Sequence, residues 1–199
     1  MKIVTILGAR PQFIKSSIVS ETIRKYSQLK EIVVHTGQHF DKNMSKIFFE
    51  QFHMEKPDYN LNINKMNHGE MTGLMLVNIE DILINEKPQG VLVYGDTNST
   101  LAGSLAAAKL DIPIFHVEAG LRSYNSSMPE EINRVVTDHV SKLLFCPTKK
   151  AVNNLKKEGM IISASPSFMN PRGYVWMTLQ LLLNVPMSLS DVHFFSPTD

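Results

Sequence analysis

The chain has 199 residues, is 43% hydrophobic and carries 20 Lys and Arg against 19 Asp and Glu, enough for one well-buried domain or two small ones. A net charge of +1 gives no general field for nucleic acid or an anionic membrane, so neither is expected as a partner, and an anionic ligand must be recognised by a local group of side chains. The single cysteine, Cys146, excludes an internal disulfide and a cysteine metal cluster; it lies in an apolar segment, where a buried thiol and a reducing, cytoplasmic setting are expected.

The first predicted element is a strand over residues 2–7. The opening MKIVTILGARPQ is too short for a signal-peptide core or for the roughly 20 apolar residues of a membrane span. A helix is predicted over 11–25, a strand over 31–36 and a helix over 41–52. A longer helix follows over 69–85, where Met71, Leu74, Met75, Ile79, Ile82 and Leu83 recur near the helical period and read as core. Next come a strand over 91–94, a helix over 97–109, a strand over 112–117, a helix over 129–142, a strand over 143–146 and a helix over 149–158. Short β-branched runs alternating with helices are the pattern of repeated βα units. The expected fold class is therefore α/β, a parallel sheet with helices on both faces.

The strands end in Gly8-Ala9-Arg10-Pro11, Gly37-Gln38-His39, Gly95-Asp96-Thr97-Asn98-Ser99, Glu118-Ala119-Gly120-Leu121-Arg122-Ser123 and Pro147-Thr148. In an open parallel sheet these loops share the carboxyl rim, where ligands bind. Arg10 and Lys15 bracket a helix start opened by Pro11, which suits an anion such as phosphate; a solvated pair is the plainer alternative. Asp96 either caps the next helix or faces the crevice together with Glu118, a second carboxylate that could share acid and base work. Glu130 and Arg134 are four apart on one helix face and could form a surface pair or line the site. Arg122 could contact phosphate or fold its own loop. Neither a G-x-G-x-x-G fingerprint nor a Walker A loop occurs, which argues against a dinucleotide or P-loop site. The seven histidines give no metal set: His35 and His39 straddle a strand end, and His116 reads as a hydrogen-bonded core residue.

Taken in order, GARPQFIK (8–15), TGQHFD (36–41), PDYNLNI (57–63), VYGDTNSTLAGSLAA (93–107), HVEAGLRS (116–123) and MPEEINR (128–134) resemble the bacterial non-hydrolysing UDP-N-acetylglucosamine 2-epimerases. The wording is nearest to capsule and O-antigen members, including those acting on UDP-2,3-diacetamido-2,3-dideoxyglucuronic acid. The resemblance implies one half of a two-domain, glycosyltransferase-B type fold built from Rossmann-like halves. It implies inversion of C2 in UDP-N-acetylglucosamine or a related UDP-2-acetamido sugar, by elimination of UDP to a glycal and re-addition, for cell-surface polysaccharide synthesis. Carried over by motif, Asp96, Glu118 and Glu130 are catalytic, and Arg10, Lys15, Arg134 and Arg122 bind substrate. Gln38 and His39 lie near the family's regulatory nucleotide-sugar site. No cofactor and no metal are implied, and a homodimer is.

The run of motifs covers residues 1–159, the expected amino-terminal domain. In residues 160–199 the only charged side chains are Arg172, Asp191 and Asp199, and the wording departs from the family, which continues with a second domain that holds UDP. An out-of-frame tail is the expectation, with an amino-terminal half that has little activity by itself. The alternative is a non-catalytic half-domain that binds a nucleotide sugar or pairs with a separately encoded second half.

Overall fold

The computed structural model describes residues 1–38 and 56–160. The helix expected over 41–52, His39 and the tail beyond residue 160 lie outside the described residues.

Six parallel strands form one sheet: β1 (Lys2–Leu7), β2 (Lys30–His35), β3 (Tyr59–Asn60), β4 (Gly90–Tyr94), β5 (Ile114–Val117) and β6 (Leu143–Phe145), in the order β3-β2-β1-β4-β5-β6. From β1 the chain runs outward through β2 and β3, then returns to the other side of β1 for β4, β5 and β6. The order reverses between β1 and β4, and that reversal opens a crevice beyond their carboxyl ends. Five described helices complete the fold: α1 (Arg10–Arg24), α2 (His68–Glu86), α3 (Asn98–Lys109), α4 (Pro129–Val140) and α5 (Lys149–Lys157).

Alternate strand residues feed two cores, as the two-residue repeat of a pleated strand requires. Val4, Ile6, Val34, Val91 and Val93 pack with Met75 and Ile79 of α2 and Ala102 and Ala106 of α3. On the other face Ile3, Leu7, Leu92, Tyr94 and Phe115 pack with Phe13, Val19 and Ile23 of α1. Fully burying one such Val, Ile, Leu or Phe contributes about 1.5–3 kcal/mol, so both layers are well supported. Met71 and Met75 lie in the core as expected, whereas Leu74 is 40% exposed.

The helix starts follow their sequence signals. Pro11 and Pro129 occupy the first turns of α1 and α4, where a missing N–H costs no helical bond. Thr97 and Thr148 cap α3 and α5 by accepting from Thr100 N at 3.3 Å and Ala151 N at 3.1 Å.

Three boundaries differ from expectation for local reasons. β5 begins at Ile114 because Pro113 has no N–H to give the ladder and Ile112 N is already used, donating to Ala107 O at 2.9 Å. Helix α4 stops at Val140 because Ser141 turns extended, which lets Lys142 N reach Ile114 O at 2.9 Å and start β6. The two-residue β3 has no β-branched run to announce it. It is held by Leu61 N donating to His35 O, while the Asp58 carboxylate accepts from Val33 N at 2.7 Å.

Candidate active site

The crevice floor is set by close backbone approach at the first loop. A Cβ on Gly8 would lie 1.9 Å from Ser99 Oγ and 2.6 Å from Thr36 Oγ1, so only glycine lets β1 end against the start of α3. Buried Gln12 then stitches three elements. Its Oε1 accepts from Gly8 N at 2.6 Å and Ala9 N at 2.9 Å, and its Nε2 donates to Tyr94 O at 2.6 Å and Thr97 Oγ1 at 3.0 Å. This fixes the start of α1, where Arg10 is the exposed first residue, against the end of β4.

Two cation–carboxylate pairs dominate the rim. Lys15 Nζ donates to Glu118 Oε2, and Arg134 Nη2 donates to Asp96 Oδ2. Arg134 Nη1 also reaches Glu131 Oε2 at 3.2 Å. A Cβ added at Gly95 would sit 3.3 Å from Glu118 Oε2, so the Glu118 carboxylate lies against the residue that precedes Asp96. Four of the residues expected at the site, Lys15, Asp96, Glu118 and Arg134, are thus brought together.

Glu118 holds φ at +76°. A non-glycine residue there carries strain of roughly 1–3 kcal/mol, a cost met at functional positions when the surroundings over-determine the conformation. Here Glu118 N and Ala119 N both donate to Phe145 O at 3.1 Å, and Gly120 N donates to Asp138 Oδ2 at 3.1 Å.

The MPEEINR motif divides by direction. Glu131 and Asn133 are buried. Glu131 accepts from Ser123 N, Ser123 Oγ and Tyr124 N, each at 2.9 Å, and so folds the preceding loop. Burial pushes the Glu131 pKa upward, but these donors and Arg134 outweigh it and hold the group below the ordinary carboxylate range. Asn133 Nδ2 donates to Asp96 O at 2.9 Å. Glu130 is half-buried at the start of α4, and the helical pair it could have made with Arg134 gives way to Asp96 and Glu131.

Arg122 does not keep its guanidinium for substrate. The side chain is 1% exposed, with Nη1 on Asp138 Oδ2 at 2.7 Å and Nη2 on Glu158 Oε2 at 2.6 Å. Its Nε and Nη1 also donate to Glu158 Oε1 and Leu121 O. It folds the loop, the second of the two readings its sequence position allowed. Gln38 Oε1 accepts from Ser99 N at 3.1 Å and Ser99 Oγ at 2.8 Å, tying the β2 loop to α3.

His116 is fully buried with both ring nitrogens engaged, as its sequence position suggested: Nε2 donates to Gly95 O and Nδ1 faces Asp138 Oδ1, each at 2.7 Å. Among the described residues no group of three or more His, Cys, Asp or Glu could hold a metal. Cys146 is half-buried rather than the buried thiol expected, and its burial pushes the thiol up to about 12. No described helix is long and apolar enough to cross a membrane.

Sequence reasoning assigned no role to Gln12, Glu131, Asn133 or Asp138. One signal was available: Gln12 stands at the third helical position of α1, where a side chain can reach back to the cap N–H.

Paired carboxylates at the switch point of an open parallel sheet stand where proteins of the α/β class bind their ligands, and comparison with known proteins gives the family. A family profile described as UDP-N-acetylglucosamine 2-epimerase matches residues 21–165. The chain belongs to that family. The UDP-2,3-diacetamido-2,3-dideoxy-D-glucuronate 2-epimerase of Pseudomonas aeruginosa is 66% identical over 159 residues, which are 80% of this chain and 45% of the relative. The crystal structure of Methanocaldococcus jannaschii UDP-GlcNAc 2-epimerase with UDP-GlcNAc and UDP superposes with a TM-score of 0.78 at 53% identity, covering 81% of this chain and 44% of that one. The Neisseria meningitidis enzyme bound to UDP-GlcNAc gives a TM-score of 0.75 at 36% identity, covering 93% and 51%. The chain spans about half the length of these relatives or less, and its sheet is one Rossmann-like half of their glycosyltransferase-B type fold.

Proposed function

We propose that this chain supplies the proton-transfer half of a non-hydrolysing UDP-2-acetamido-sugar 2-epimerase. In this reading Asp96, Glu118 and Glu130 face the sugar, and Arg10, Lys15 and Arg134 face the diphosphate. The carrying observation is the pairing of Lys15 with Glu118 and Arg134 with Asp96 on one rim.

Inversion at C2 needs a base for a weakly acidic C–H, stabilisation of a departing diphosphate and exclusion of water from the glycal. Carboxylates supply the proton transfers, while the ammonium and guanidinium groups meet developing phosphate charge. When UDP departs, the C2–H electron pair forms the C1–C2 double bond and the C1–O bond electrons leave with UDP. Return of UDP to C1 with protonation of C2 from the other face completes the inversion. The 66% identity to the Pseudomonas relative favours a diacetamido glucuronate as the sugar and cell-surface polysaccharide synthesis as the setting. A cytoplasmic homodimer is part of the proposal: a single cysteine fits a reducing compartment, and the exposed Leu74, Val77 and Ile84 of α2 offer an apolar face to a second copy.

The test is complementation. The purified chain alone is expected to turn over little UDP-sugar, and addition of the second half of the Pseudomonas relative is expected to restore C2 inversion. Calorimetric binding of UDP-sugar without turnover in the mixture would instead identify a non-catalytic binding half.

A further inference from the structure

We propose that Asp138 is a positioning residue for the whole crevice, a single buried carboxylate that sets the two loops bearing Asp96 and Glu118. This rests on the reading above that those two carboxylates perform the proton transfers.

Asp138 lies on α4, is 1% exposed and accepts from three directions. Its Oδ1 meets His116 Nδ1 at 2.7 Å, and its Oδ2 takes Gly120 N at 3.1 Å and Arg122 Nη1 at 2.7 Å. The His116 branch continues through Nε2 to Gly95 O at 2.7 Å, the residue before Asp96. The Gly120 branch fixes the residue two beyond Glu118. Gly95, Glu118 and Gly120 all have positive φ, at +64°, +76° and +78°. Glycine adopts such a φ readily, so of these three only Glu118 is strained, and one side chain anchors both loops. A third branch runs through Arg122 to Glu158 at the end of α5.

Burial alone would raise the pKa of Asp138; the hydrogen bonds and charges of His116 and Arg122 overcome that and hold it below the ordinary range. A buried charged network adds little net stability compared with apolar packing of the same volume. What it supplies is one fixed geometry. Gly120 N and Arg122 Nη1 are fixed donors to Oδ2 and His116 Nδ1 faces Oδ1, so Asn would keep one acceptor oxygen in place of two and would lose the charge that meets the Arg122 guanidinium.

The test is hydrogen–deuterium exchange on the full 199-residue chain, comparing wild type, Asp138→Asn, His116→Gln and the core control Ile79→Val. For Asp138→Asn the expected result is exchange about tenfold or more faster at the amides of Gly95 to Thr97 and Ala119 to Ser123, with α2 and β1 unchanged. A merely structural role would raise exchange in proportion to lost stability throughout the sheet, as Ile79→Val is expected to do. His116→Gln is expected to loosen the Gly95 loop and spare Gly120, which keeps the proposal testable should the Asn variant fail to fold. Wild-type exchange in both loops of Asp138→Asn, or equal loosening in Ile79→Val, would overturn it. Failure of the wild-type chain to bind UDP strikes the substrate reading instead, and the exchange result still decides this one.

Discussion

Lys15, on the first helix, donates its ammonium to the Glu118 carboxylate, 103 residues away in sequence at the end of the fifth strand. With the Arg134–Asp96 pair, it leaves the rim balanced, each cation held by the carboxylate beside it. A diphosphate that claims Lys15 both gains a charge-assisted bond and releases Glu118. Lys15→Ala is therefore expected to weaken UDP binding by about tenfold. Lys25→Ala, which removes an exposed partner of Glu21 on the same helix, should leave the affinity unchanged; titration calorimetry reads both.

Gly8→Ala tests the tight approach at the first loop. With Ser99 Oγ 1.9 Å from the added methyl, either the helix start or the loop must shift, at about 1–3 kcal/mol. At Gly69, in the first turn of α2, an added Cβ meets nothing within 4 Å, and Gly69→Ala should be neutral or stabilise by up to about 1 kcal/mol. Urea midpoints of the two variants should move in opposite directions or differ by that margin.

His35 gives a pH signature of folding. Buried and stacked edge-on to Phe13 with ring centroids 5.0 Å apart, it has its pKa lowered by desolvation from 6.5 to about 4. Between those values the unfolded chain binds a proton that the folded chain refuses. Stability is therefore expected to fall as pH drops from 6.5 toward 4, by up to about 3 kcal/mol from this group. Denaturant melts across that window should show a shallower slope for His35→Asn than for wild type.

Cys146 should resist modification. With its thiol pushed up to about 12, alkylation by iodoacetamide at pH 8 is expected to be far slower than for a free thiol of pKa near 8.5. Urea should restore the ordinary rate, and mass spectrometry of timed samples follows both.

The sheet was legible because strand and helix periods differ and four of the five predicted strands are followed by a glycine-bearing loop. The positions of Lys15, Asp96 and Glu118 were legible for the same reason, since a parallel sheet sends every such loop to one rim, whereas Arg134 came to the site only through the resemblance of its motif. Partner choice was not. Spacing left Arg134 open to Glu130 or to the site, and tertiary contact gives it Asp96 and Glu131. Arg122 carries a charge that sequence alone leaves open to phosphate or to its own loop, and only the fold reveals that Asp138 and Glu158 occupy it. Asp138 itself stands in a plain helix, and nothing local announces that Gly95, Gly120 and Arg122 depend on it.

If this half carries the proton chemistry, solvent isotope exchange reads it at C2 of the sugar. In deuterated water, wild-type chain complemented with the second half of the Pseudomonas relative should incorporate deuterium at C2 of the UDP-sugar. Asp96→Asn and Glu118→Gln should each slow that incorporation by about 100-fold or more, with thermal melts close to wild type. Exchange at the wild-type rate in both variants would contradict the account.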